Sequence, residues 1–362
     1  MYELDLRKPD GRRLSLYSRR PIPAGITART PRAEPVHPNP QYRWHPLRQE
    51  WVAYAAYRQT RTFLPPPEYN PLQASDDPGN PTELPVGDYD IAVFDNLFPA
   101  LSMEATDPPP SIVPTAPATG HCEVVVFTQD ASSSLSRLGA DHIALLLEVW
   151  GRRTEAIVER APQVQYVLPF ENRGAEVGVT LHHPHGQIYA YPHIPPVPMR
   201  MHEIERRHLE SAGEPLLQSL IEAELRDGRR ILHASDEAVA FVPAWARYPY
   251  EVWVAPRVQT PDFSSLSSTA RLGLARALQA VLRKYDGLWN MPFPYIMAWY
   301  QAPRIAGHAR SCHLHAELYP PYRMPGRLKY LAGTEIAAGL FANDALPEAK
   351  AAELQAVEIT IG

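Results

Sequence analysis

Only two of the 362 residues are cysteine, Cys122 and Cys312, and they stand far apart with no Cys-x-x-Cys spacing. That excludes a disulfide framework and a zinc knuckle made of thiolates. No run of about 18 apolar residues occurs, so nothing is expected to span or anchor in a membrane. The first residues, Met1 to Lys8, carry charge where a secretion signal needs an apolar core, and a cytoplasmic protein is expected. A basic excess is missing too: 35 Lys and Arg against 40 Asp and Glu give a net charge of −5, with a pI near 6.3. Nucleic acid is therefore not an expected partner.

What is abundant is proline, with 40 residues, more than twice the usual share of about 5%. The prolines gather at 21–40, 65–85, 107–117 and 192–198, alternating with Tyr, Trp and Val. They read as stiffened connections, with 21–40 left as an arm. The length predicts two domains or one duplicated unit.

The sharpest signal lies at 170–192. It begins Phe170-Glu171-Asn172-Arg173-Gly174, passes Gly178 and Thr180, and reaches His182-His183-Pro184-His185-Gly186-Gln187. In an extended strand alternate side chains share a face, which would present His183, His185 and Gln187 to one ligand. Pro184 removes a ladder donor and belongs at an edge or an irregular end. Gly186 admits a ligand or a neighbouring backbone closely. A His-rich surface loop or a metal site is the plainer reading of such histidines taken singly. Neutral imidazole, however, is both a nucleophile at neutral pH and a good leaving group from phosphorus. His185 suits that role, Gln187 can donate to a phosphate oxygen, and His183 would position the geometry or bind a metal. An amide at 187 cannot shuttle protons, which favours group transfer over hydrolysis.

The flanks predict a strand order. A hairpin is expected at 43–54, with Arg58 and Arg61 just beyond it as a candidate phosphate pair. Strands follow at 89–101 and 120–127, a helix capped by Asp141 at 138–160, and a strand at 164–170 that leads into the motif. The second half repeats this order: strands at 237–246 and 250–256, a helix at 266–290, a strand at 294–300, then His313-Leu314-His315-Ala316-Glu317 laid over His183 to Gln187 at an offset of 130. Such a period means a duplicated domain. The expected fold is α+β, each copy a mostly antiparallel sheet with a packed helix, with domains at 1–195 and 196–362. A helical connector is expected at 198–230.

The segment from Phe170 to Gln187 resembles the active-site segment of galactose-1-phosphate uridylyltransferases, a branch of the histidine-triad superfamily. The resemblance runs from about residue 43 and includes Arg58, Arg61, Val93 to Asn96, Phe170 to Asn172, Gly178, Thr180 and Lys329 to Glu335. It implies that His185 takes a uridylyl group from UDP-glucose, releases glucose 1-phosphate, and passes the group to galactose 1-phosphate by ping-pong chemistry in a homodimer. It also implies that Asn96 and Asn172 contact nucleotide or phosphates, that Thr180, after Gly178, stands where the family has a small polar phosphate contact, that Glu335 meets the hexose hydroxyls, and that Gly178 and Lys329 count among the substrate-binding residues. A related adenylyltransferase acting on another nucleotide sugar, or a non-catalytic nucleotide-binding descendant, are the alternatives.

Many members of that family hold zinc with a Cys-x-x-Cys pair, a histidine in a strand-to-helix turn and the first motif histidine. Here Asn70-Pro71-Leu72-Gln73 and Ala131 stand in those places, and His183 alone remains. This zinc is expected to be lost and no cofactor to be required. A second metal site of some members is altered as well: Tyr300 and Glu317 replace two histidines and His315 is kept. His313, His315 and Glu317, with Glu203 or Glu205, stay as candidates for a metal. Cys312 beside His313 reads as structural, not as a nucleophile.

Overall fold

The computed structural model describes residues 1–32, 34–60 and 69–360, and Arg61 lies outside the described residues. The chain forms two compact units, each made of several stretches of sequence, the last change from one to the other falling between Arg200 and Met201. Unit 1 is Met1–Ser133, Arg152–Pro169 and Thr180–Arg200; unit 2 is Ser134–Gly151, Phe170–Val179 and Met201–Gly362.

The strands of unit 1 are β1 (Tyr2–Arg7), β2 (Arg13–Ser18), β3 (Gln41–His45), β4 (Glu50–Tyr54), β5 (Ile91–Asp95), β6 (Thr115–Pro117) and β7 (His121–Val126). Helix α1 (Ala140–Arg160) belongs to unit 1 from Arg152 and β8 (Tyr166–Arg173) as far as Pro169, and β9 (His185–Tyr191) lies wholly in unit 1. In the main sheet the order is β1-β2-β5-β7-β9-β8. The predicted hairpin is β3 and β4, with Trp44 opposite Trp51 and Gln49 in the turn at φ 53°. The β1–β2 hairpin was not read from the sequence. Its turn is Lys8-Pro9-Asp10-Gly11-Arg12, where proline presets φ, Gly11 takes φ +84° and Asp10 accepts from the Arg12 amide at 3.2 Å. Alternation then sends Leu14 and Leu16 of β2 into a core with Leu72, Leu84, Phe94 and Val126. Each such side chain stabilises the unit by about 1.5–3 kcal/mol.

Helix α1 begins at Ala140, so Asp141 sits within the first turn and acts on the dipole instead of capping the end. On the helix's later half, Arg153 is buried and its Nε donates to Glu123 of β7 at 2.9 Å.

Unit 2 contains α2 (Pro196–Ala212) from Met201 onward, α3 (Leu216–Asp227), β10 (Ile231–Ala234), β11 (Ala238–Phe241), β12 (Val252–Pro256), α4 (Ser268–Leu288), β13 (Tyr295–Tyr300), β14 (His315–Tyr319) and α5 (Pro347–Gln355). The helical connector expected at 198–230 is built of α2 and α3, with Pro215 at the N-cap of the second because proline lacks the amide a continuous helix needs. Helix α4 is capped by Ser267, which accepts from the Ala270 amide at 3.1 Å. The tail closes on α4: Lys284 Nζ donates to the carbonyls of Leu354 and Val357 at 3.1 and 2.9 Å.

The duplication is visible strand by strand. Unit 1 runs β5-β7-β9-β8 and unit 2 runs β11-β12-β14-β13. Val124 faces Gln187 in one, and Trp253 faces Glu317 in the other. Within each unit the pairings β1–β2, β2–β5, β5–β7 and β7–β9, and β10–β11, β11–β12, β12–β14 and β13–β14, are antiparallel.

Candidate active site

Strand β9 starts at His185, not at His183, because Pro184 has no amide to give the ladder. From there the exposure alternates: His185 and Gln187 are half-buried while Gly186 and Ile188 are buried. The ring of His185 is latched by its own backbone, with Nδ1–H donating to the His183 carbonyl at 2.7 Å. That bond fixes the tautomer and leaves Nε2 with its lone pair. Burial, with the His183 imidazole adding to it, lowers the His185 pKa, so the ring is neutral near pH 7.

His185 and Gln187 line a cavity of about 280 Å³ together with Arg32, Arg58, Asn96 and Thr180, a volume near the low end of small-molecule sites. Asn96 accepts from the Phe98 amide at 2.8 Å and donates from Nδ2 to Gln187 Oε1 at 3.3 Å. The Gln187 NH2 is thereby oriented for a ligand. Arg58 follows β4 on a short 3-10 turn, Ala56–Thr60, and its Nη1 lies 3.4 Å from the Tyr189 hydroxyl.

Three contributors to the cavity were not found by reading the sequence. Arg32 lies over the Phe98 ring at 5.4 Å, a cation–π contact, and Tyr69 completes the wall. Glu83 also lines the cavity, where a free carboxylate would repel phosphate. It is neutralised by Lys8 of the N-terminal hairpin and by Arg12 Nη2 at 2.9 Å. A lone arginine in a proline-rich stretch carries no pattern. The Pro9-Asp10-Gly11 turn was the one signal that could have flagged the hairpin.

His183 does not share the His185 face. Its ring is only 2% exposed and spans two partners: Nδ1 accepts from Asn70 Nδ2 at 2.9 Å, and Nε2–H donates to the Thr128 carbonyl at 2.7 Å. Both nitrogens are therefore occupied, and burial lowers its pKa. The Asn70 side-chain oxygen in turn accepts from the Leu72 amide at 3.0 Å.

The other candidates fall in unit 2. Asn172 sits on β8 opposite Ile296, and Gly178 closes the following turn at φ +78°, a conformation that favours glycine. Lys329 and Glu335 form a buried pair at 3.2 Å. Amide hydrogen bonds, its own first, then those of Ala332 and Ala342, hold the Glu335 carboxyl down to about 2.

His315 repeats the latch of His185, Nδ1–H to the His313 carbonyl at 2.7 Å. Its surroundings are opposite. Nε2 faces Glu317 at 3.3 Å, and the ring is stacked by Trp253 and Tyr300 at centroid distances of 5.0 and 5.3 Å. Although burial opposes it, hydrogen bonding and attraction to Glu317 raise the His315 pKa. Glu317 also takes Arg247 at 3.1 Å. Burial drops His313 to about 3.

Residues 37–195 match the N-terminal domain and residues 200–360 the C-terminal domain of galactose-1-phosphate uridyl transferases. The galactose-1-phosphate uridylyltransferase of Thermotoga maritima is 33% identical over 329 residues, covering 89% of this chain and 99% of that protein. The enzyme of the same name from Streptomyces lividans is 34% identical over 333 residues, covering 89% and 88%. A solved uridylyltransferase structure superposes with a TM-score of 0.76 at 28% identity, covering 88% of this chain and 98% of that one.

Proposed function

Because the chain belongs to the galactose-1-phosphate uridyl transferase family and is a transferase, we propose that it moves UMP between UDP-glucose and galactose 1-phosphate through a uridylyl group carried on His185. The observation that carries this reading is the latch from His185 Nδ1–H to the His183 carbonyl at 2.7 Å. It sets the nucleophilic nitrogen on a residue that lines the cavity beside Gln187 and Arg58.

In the first half-reaction Nε2 attacks the α-phosphorus of UDP-glucose. An N–P bond forms, the P–O bond to the β-phosphate breaks, and glucose 1-phosphate leaves with the electron pair. The Nδ1 proton stays where it is, on the latch, and stabilises the imidazolium of the adduct. A phosphate dianion needs no proton to depart, so an amide at Gln187 suffices where a leaving alkoxide would demand an acid. Gln187 NH2 and Arg58 hold the oxygens on which charge develops. In the second half-reaction a phosphate oxygen of galactose 1-phosphate attacks, the N–P bond breaks, and Nε2 recovers its lone pair.

The reaction as proposed uses no zinc at His183. Supporting this, Asn70 stands at the first position of the lost Cys-x-x-Cys pair and hydrogen-bonds the nitrogen a metal would take. A homodimer and a cytoplasmic setting belong to the same proposal. Among the described residues no helix is long and apolar enough to cross a membrane.

Intact mass spectrometry after mixing with UDP-glucose tests the mechanism: one UMP adduct per chain is expected, discharged by galactose 1-phosphate. No adduct with any member of a nucleotide-sugar panel would overturn covalent transfer. A His185→Gly protein that still exchanges uridylyl groups would overturn the nucleophile.

A further inference from the structure

Among the described residues, two groups bring three His, Cys, Asp or Glu donors within 4.8 Å of one another: Asp95, His121 and Glu123, and His202, Glu205 and Cys312. The first is saturated by guanidiniums. Arg13 lies 3.3 Å from Asp95 and Arg160 lies 3.6 Å from Glu123, and Arg153 is bonded to Glu123 at 2.9 Å. A dication there would meet three fixed positive charges.

The second group is chemically different. His202 and Glu205 are three residues apart on α2, hence on one face, and Cys312 lies in the segment just before β14. His202 and Cys312 are each 5% exposed. His202 Nδ1 stands 3.2 Å from Cys312 Sγ. In a tetrahedral zinc site, metal–nitrogen and metal–sulfur bonds of about 2.0–2.3 Å put neighbouring donors about 3.5 Å apart, so this edge is already near its final length. The far nitrogen of His202 is bonded to His308 Nδ1, the two rings lying near one plane with centroids 4.4 Å apart. That outer contact on the second nitrogen is what a ligating imidazole ordinarily has. Glu205, half-buried, is hydrogen-bonded to Cys312 and is attracted by His315. Bound as thiolate and carboxylate, Cys312 and Glu205 would balance the charge of a dication, with His202 as a neutral third donor.

We propose that His202 Nδ1, Glu205 and Cys312 bind one borderline divalent transition metal, zinc being the best match, with a water as fourth ligand, and that the metal ties α2 to the segment leading into β14. The donor set of sulfur, nitrogen and carboxylate oxygen selects zinc or cobalt over magnesium or calcium. It shares Glu205 with the candidate set of His313, His315 and Glu317 but draws its other donors elsewhere, because those three are taken up by Arg247 and by each other or lie buried in the core.

The test strips the whole protein with a chelator and titrates it with Co²⁺. The expected result is one Co²⁺ per chain, with a near-ultraviolet thiolate-to-cobalt charge-transfer band, visible bands of four-coordinate cobalt, displacement by Zn²⁺, and a rise in Tm on Zn²⁺ addition. Cys312→Ser removes the charge-transfer band and Glu205→Gln weakens binding at least tenfold, while Cys122→Ser leaves the band intact. His202→Gln serves the same comparison if the serine variant does not fold. Absence of stoichiometric Co²⁺, binding without the charge-transfer band, or a band that persists in Cys312→Ser would each overturn the site.

Discussion

Replacing Asn70 by leucine keeps the volume and removes both polar contacts of the amide. The buried Nδ1 of His183 loses the donor at 2.9 Å, and the Leu72 amide loses its acceptor at 3.0 Å. Leaving a buried acceptor unpaired costs about 1–3 kcal/mol and a lost hydrogen bond about 1 kcal/mol, so the variant should lose about 2–4 kcal/mol. For a unit of roughly 150–250 residues each kcal/mol lowers Tm by about 2–4 °C, giving a drop of about 4–16 °C by calorimetry. Activity should suffer separately, because the His183 carbonyl holds the His185 tautomer. Loosening one hydrogen bond of about 1 kcal/mol lowers the adduct-forming rate by about fivefold to tenfold, with KM little changed. Asn70→Asp gives the sign test. In the natural protein the His183 pKa is lowered by burial, so its contribution to stability is present above the ordinary value near 6.5 and lost as pH falls through the folded value. With an aspartate facing Nδ1 the folded pKa is raised, and the contribution is present below about 6.5 and lost as pH rises. A Tm for Asn70→Leu within about 1 °C of the natural protein, or an Asn70→Asp profile with unchanged slope, would refute this account of His183.

Since the His185 pKa is lowered, single-turnover uridylylation should stay level as pH drops past 6.5 and decline only below that, followed by quench and intact mass. Gln187→Glu imports the arrangement of Glu317 beside His315: it should raise the His185 pKa, repel phosphate, and cut adduct formation at least a hundredfold without a matching loss of Tm. Arg58→Ala removes a charge-assisted contact of about 1.5–3 kcal/mol, so kcat/KM should fall about tenfold to a hundredfold in a coupled assay, with Arg58→Lys recovering only part. Glu123→Gln strands Arg153, which is 3% exposed, and should cost about 3–5 kcal/mol in urea unfolding.

The sequence made legible whatever is local and periodic. The alternation of His185 and Gln187, the β-branched β7 and the second run of the same order depend on neighbours within a few residues, and the strands lie where those patterns place them. Helix boundaries were less legible: at Asp141 a carboxylate satisfies either the cap or the first turn, and only backbone geometry separates the two. The contacts that define the cavity were not legible, because they join residues far apart. Asn70 meets His183 across 113 positions, and Glu83 is quenched by Lys8 across 75. The hairpin that supplies Lys8 carries charged Glu3 and Asp5 on alternate positions of its outer strand, which dilute its apolar signal.

The paired latches of His185 and His315 turn the chain into its own reference experiment. Two imidazoles share one backbone clamp, one open to a cavity with a depressed pKa and one closed between two rings with an elevated pKa. An imidazole-directed acylating reagent, or the two ring-proton resonances followed through a pH titration, can therefore be calibrated inside a single molecule, with His315 reporting the clamp and the difference reporting the cavity.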